Sequence, residues 1–246
     1  MPGKEWFEKY ETVKSRLDCR IDLDAYFTQK QISGFDVDTF GIGAVHFPTG
    51  KVIACDPLVS LGEEMLPYLQ TVPAGTYPVT VCVVPSERFG DRYACVKVEV
   101  TAEKPVRYEL GMTGEEILDQ ALGADAEDVF FGFGVDAGMG CIMDLETNRE
   151  FGKYWKKREA EDPNANTYDD LFSDILADSC REHPAYQRDC GDWANWTIPG
   201  TSCNVPVFAS GWGDGVYPCY FAYDANGVVC GVYVHLIDIA AEYAEA

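Results

Sequence analysis

Apolar positions Trp6, Phe7, Tyr10, Val13 and Leu17 recur three and four residues apart, the spacing of one helical face. Residues 1–20 are therefore predicted to form an N-terminal helix packed on the rest of the chain. From Phe40 the period shortens towards two. FGIGAVHF and KVIACDP, separated by PTG, read as a hairpin, and TYPVTVCVV, YACVKVEV and PVRYELGM continue the strand pattern. In TGEEILDQAL, Thr113 stands three residues before Glu116, a reciprocal capping arrangement that predicts a short helix starting there.

A glycine-rich apolar run, DVFFGFGVDAGMGCIMD, precedes two helical stretches, NREFGKYWKKREAED and TYDDLFSDILADSCREH, the second expected to be capped by Thr167. VPVFASGW and a hairpin over 217–234 then return the chain to strand, with Gly227 of DANG at the left-handed turn position. Both faces of that hairpin are largely apolar: Tyr217, Cys219, Phe221 and Tyr223 on one, Tyr220, Ala222, Val229, Tyr233 and His235 on the other. Such strands belong inside a sheet, covered on both sides. The expected fold is α+β and predominantly β, a two-layer antiparallel β-sandwich-like core with an N-terminal helix and a helical insertion. A single domain over 1–246 is expected, with β core at 40–145 and 203–236 and the acidic insertion at 147–200.

Composition narrows the partners. The net charge is −22, and between Glu159 and Asp192 ten acidic residues face two basic ones. Such a surface repels phosphate backbones and anionic lipid headgroups, so neither nucleic acid nor membrane is an expected partner. The opening residues lack the apolar core of a secretory signal, and no stretch is long and apolar enough to span a bilayer, so a cytoplasmic location is expected. Ten cysteines, most within strand-like apolar runs, read as reduced core thiols. Cys82 and Cys95 are predicted to face each other across a hairpin about SERFGD.

Two glycine-flanked carboxylates stand out, Asp136 in GVDAG and Asp214 in GWGDG. Glycine permits sharp bends, so each run can hold its carboxylate at a strand end as a catalyst, a cation ligand or a lock on its own turn. GKVIACDP, GFGVDAGMGCIMD and SGWGDGVYPCYFAYDANG resemble a bacterial family of uncharacterised proteins, domain of unknown function 4241, over about Gly41 to Val234. The resemblance implies that Asp136, Gly138, Asp144, Trp212, Gly213, Asp214, Gly215 and Tyr217 lie in family motifs, and it implies no reaction. The acidic helical stretch and Asp178–Asn204 match the family pattern poorly, so a role there would be particular to this chain.

Other chemistry finds less in the chain. His46 and His235 sit in apolar strand-like runs, Ser210 is not in a nucleophile elbow, and Cys141 has apolar neighbours, so no triad is proposed. Cys180, His183, Cys190 and Cys203 could close a zinc site, but their later gaps lack a paired knuckle, and no metal is assigned. The glycine runs lack a Walker lysine and do not open a βαβ helix, so no cofactor is expected either. The leading expectation is an acidic binding protein, of immunity type in its most concrete version, that recognises a protein or small ligand through Asp136, Asp144, Trp212, Asp214 and Tyr217. The rival is a hydrolase using Asp136 and Asp214 as acid and base or as cation ligands, with Trp212 and Tyr217 shaping the pocket.

Overall fold

The computed structural model describes residues 2–122 and 131–243; residues 128–130, the start of the glycine-rich run, lie outside them. In chain order the elements are α1 (Lys4–Leu17), α2 (Ala25–Thr28), the small hairpin β1 (Gln31–Ile32) and β2 (Phe35–Asp36), β3 (Asp38–Phe47), β4 (Val52–Cys55), β5 (Gly75–Val84), β6 (Arg92–Glu99) and β7 (Arg107–Leu110). A 3-10 turn (Leu118–Leu122), β8 (Phe133–Val135), β9 (Met139–Asp144) and α3 (Leu145–Glu161) follow. A π-helical turn (Tyr168–Phe172) runs into α4 (Ser173–Glu182). The chain then forms β10 (Trp193–Thr197), β11 (Asn204–Ala209), β12 (Gly215–Tyr217), β13 (Cys219–Tyr223), β14 (Val229–His235) and α5 (Ile239–Glu242).

Two antiparallel sheets make the core, one ordered β3-β5-β6-β14-β13-β7 and the other β10-β11-β9-β4. The β13–β14 hairpin occupies interior positions of the larger sheet, as its two apolar faces require, and Gly227 takes the left-handed φ of +75° in its turn. Cys82 and Cys95 face each other across β5 and β6. β3 packs against β9, β10 and β11 of the smaller sheet. Strand alternation divides the smaller sheet between two cores. Val52, Ala54, Ile142 and Phe208 join the core shared with the larger sheet, while Ile53, Cys55, Cys141, Met143, Val205 and Val207 meet Phe151, Phe172 and Leu176 of the helical insertion. Each large apolar side chain so buried stabilises the fold by about 1.5–3 kcal/mol. The helical insertion thus forms a third layer.

Several local expectations change. β3 and β4 do not form a hairpin: β3 pairs with β5 and β4 with β9, so the PTG turn crosses between sheets. The reason is Asp144, whose buried carboxylate accepts the backbone N–H groups of Thr49 and Gly50, both at 2.9 Å, and turns the chain out of the first ladder. Glu116 does accept from the Thr113 amide, at 2.6 Å, but the helical turn begins only at Leu118. Thr167 does not cap the second insertion helix. Its hydroxyl donates to Leu58 O, and Asn166 Oδ1 accepts the N–H groups of Tyr168 and Asp169 instead. The stretch read as insertion also contains β10, which extends the smaller sheet. In α1, Tyr10, Val13 and Leu17 are buried, whereas Phe7 is exposed.

Candidate functional site

The two glycine-rich runs meet. β8 and β12 pair antiparallel, with Val135 opposite Gly215, Gly134 opposite Val216 and Phe133 opposite Tyr217. Asp136 directly follows Val135 and Asp214 directly precedes Gly215, so the two aspartates flank the same end of this ladder. Both are exposed, as is Val216, while Val135 and Tyr217 point into the core. Among the described residues neither carboxylate has a hydrogen-bond or ion-pair partner, and both face solvent. Exposed like charges on neighbouring strands repel by about 1 kcal/mol or less, a cost that an approaching cation would reverse.

The backbone beneath them is held tightly. Asp56, 1% exposed, accepts the N–H groups of Asp136 and Ala137 on Oδ2 at 2.9 and 2.7 Å and that of Leu58 on Oδ1 at 2.9 Å. On the other run, the Gly213 carbonyl accepts both the Ser210 hydroxyl and the Tyr217 hydroxyl, each at 2.8 Å. The Ser210 N–H donates to Gly138 O at 3.1 Å and ties the runs together. Gly138 and Gly213 both have left-handed φ, +69° and +106°, and the place a Cβ would take on Gly138 lies 4.0 Å from Gly213 Cα. Tyr217 therefore serves the loop's shape; burial raises its hydroxyl above the usual tyrosine range.

Trp212 turns towards the C-terminus. Its indole N–H donates to the Glu242 carboxylate, its ring packs on Tyr243 and Phe89, and the Arg92 guanidinium lies 5.2 Å from its centroid. It is part of an aromatic cluster and 42% exposed. Asp144 is fully buried: besides the Thr49 and Gly50 amides it takes the Thr49 hydroxyl and, as N-cap of α3, the Glu146 N–H at 2.8 Å. It is engaged within the fold, apart from the exposed pair.

Beside the Asp136 turn, Ala137 and Met139 border a cleft of about 450 Å³ completed by Leu58, Tyr168, Leu176 and Cys190. The four residues weighed for zinc have separate surroundings. Cys180 donates to Arg188 O, His183 stacks on Trp193, Cys190 is exposed in this cleft, and Cys203 lies in the second core. Among the described residues no group of three or more His, Cys, Asp or Glu is placed to hold a metal. No helix there is long and apolar enough to cross a membrane.

Asp56 is the residue that sequence reasoning missed. It sits in CDP at the end of β4, and only the pairing of β4 with β9 brings it beneath the Asp136 turn.

Fold and site together define a two-sheet antiparallel β protein, helix-covered, with a carboxylate pair at the end of a two-stranded ladder. The chain belongs to the family described as protein of unknown function (DUF4241), which matches residues 45–234 and so includes both glycine-rich runs and Asp56. No curated protein and no solved structure matches it.

Proposed function

We propose that the chain is a non-catalytic interaction protein that presents Asp136 and Asp214 to a basic group of a protein partner or small ligand. The carrying observation is the β8–β12 ladder, whose one end is flanked by two exposed carboxylates on a backbone fixed by Asp56, Ser210 and Tyr217. The net charge of −22 supports the same reading, because it steers a basic partner towards the surface. The apolar cleft beside Ala137 offers a seat for a side chain flanking the basic group. An immunity-type role, covering a basic nuclease-like protein by imitating phosphate, is its concrete version. A cytosolic setting belongs to the same proposal, supported by ten free thiols of which seven are buried.

A hydrolytic role draws less support. A general acid needs a carboxyl held protonated by burial, and both aspartates are exposed, with Tyr217 committed to Gly213. Affinity capture at low salt from the native cells tests the proposal. A basic protein held by the wild-type chain, released by salt and not held by the Asp136→Lys/Asp214→Lys variant is the expected result. Equal capture by the variant overturns it.

A further inference from the structure

Seven of the ten cysteines are buried, whereas Cys190 is exposed and Cys180 half-buried. Cys180 lies near the end of α4, and Cys190 lies in the loop that leads from α4 to β10. That loop folds back along the helix. A Cβ on Gly191 would stand 2.3 Å from Leu176 O, so the backbone beside Cys190 packs directly on α4, and Leu176 and Cys180 are one turn apart on that helix. The Arg188 carbonyl oxygen then accepts twice, from the Cys180 thiol at 3.2 Å and from the Gly191 N–H at 2.8 Å. Those two contacts alone keep the Cys180 sulfur within about 6 Å of the peptide nitrogen that follows Cys190, and disulfides join residues whose α-carbons are about 4.4–6.8 Å apart.

The loop is tied at its base. Asp192 accepts both the backbone N–H and the guanidinium of Arg188, and Gln187 Oε1 accepts the N–H groups of Asp192 and Trp193. The two cysteines are therefore held as neighbours. Other thiols pair more closely: the sulfurs of Cys55 and Cys141 are 3.5 Å apart, and Cys82 faces Cys95, but all four are buried. An oxidant has to touch sulfur, so access decides, and access favours Cys190. Charge selects the oxidant. Asp189 adjoins Cys190 in a chain of net charge −22, so an anionic disulfide such as oxidised glutathione is repelled and a neutral hydroperoxide is not.

We propose that Cys190 and Cys180 form a reversible dithiol site for neutral hydroperoxides, and that its closure alters the wall of the cleft that Cys190 shares with Met139. Cys190 Sγ attacks the terminal peroxide oxygen and the O–O bond breaks, leaving a sulfenic acid on Cys190 and, with the thiol proton, an alcohol or water. Cys180 Sγ then attacks the sulfenic sulfur, and the displaced hydroxide leaves as water with the Cys180 proton. Two thiols lose two electrons and the peroxide gains them. Closure removes the thiol proton from Arg188 O and draws Cys190 towards α4. Asp136 and Asp214 take no part and the test needs no partner, so this proposal and the proposed function fail separately.

In the test, fully reduced protein is treated with excess hydrogen peroxide, free thiols are blocked, and the chain is cut at Arg181 and Arg188, which lie between the two cysteines. One intramolecular disulfide between Cys180 and Cys190 is expected, reversed by dithiothreitol and absent from Cys190→Ser. In Cys180→Ser, oxidation should stop at the Cys190 sulfenic acid, with about tenfold more of it trapped by dimedone than in the wild type. With methionine methyls labelled with carbon-13, the Met139 signal, assigned with Met139→Leu, should move on oxidation and return with dithiothreitol. Failure to form this disulfide, a disulfide at a buried cysteine instead, equal sulfenic acid in wild type and Cys180→Ser, or an unmoved Met139 signal overturns the proposal.

Discussion

The buried carboxylate of Asp56 accepts the backbone N–H of Asp136 at 2.9 Å, so one aspartate shapes the turn on which another is displayed. Removing it leaves three amides, those of Leu58, Asp136 and Ala137, without their acceptor. Asp56→Ala is expected to cost about 2–3 kcal/mol in urea unfolding and to speed amide exchange at 136 and 137. Unchanged exchange there would show that the turn holds itself.

Asp144 is predicted to act on stability alone. Its carboxylate closes the PTG crossover and caps α3, so Asp144→Ala should lose about 2–4 kcal/mol. Once folded at low temperature, the variant should bind the captured partner as the wild type does. A binding loss without destabilisation would place Asp144 in the site.

The thiols should react in a fixed order with a disulfide reagent. Cys190 is exposed and is expected to give the single fast phase, abolished by Cys190→Ser. Burial pushes Cys19 up to about 11 and both Cys82 and Cys219 up to about 12, which keeps them from forming the reactive thiolate at neutral pH. The seven buried cysteines should react only after unfolding. Fast reaction of several thiols in native protein would contradict the packing.

His235 should make stability fall on mild acidification. Its Nε2 is buried without a partner among the described residues, and desolvation holds the imidazole below the usual histidine range. The unfolded chain binds a proton at about pH 6.5, where the folded chain does not, so this contribution is complete above about pH 6.5 and is lost as pH falls towards the folded value. Urea midpoints at pH 7.5 and 5.5 should differ more for the wild type than for His235→Gln. An equal difference would assign the acid limb to other groups.

Much of the architecture was legible because it follows from local pattern. The two apolar faces of 217–234 placed that hairpin inside a sheet, and the spacing in the first residues gave α1. The PTG segment shows where local pattern stops. Strand, turn and strand look the same whether the second strand returns to the first or crosses to another sheet, and the choice was made by Asp144, distant in sequence. The site divides in the same way. Glycines around Asp136 and Asp214 marked bent loops, and the structure brings those loops together through β8 and β12. Asp56 could not be found so, because an aspartate before proline looks like any turn residue until β4 is paired with β9. Trp212 stands two residues before Asp214, and its contacts with Glu242 and Tyr243, distant in sequence, could not be read from the motif.

A double-mutant cycle on the dissociation constant of the captured basic partner tests whether Asp136 and Asp214 act as one cation-recognising pair. Asp136→Asn and Asp214→Asn are each expected to weaken binding about tenfold, and the double variant by less than the product because both touch the same group. Thermal midpoints should stay together, and the difference from wild type should shrink at high salt. A double Asn variant that binds as tightly as the wild type at low salt would show that the two carboxylates do not hold the partner.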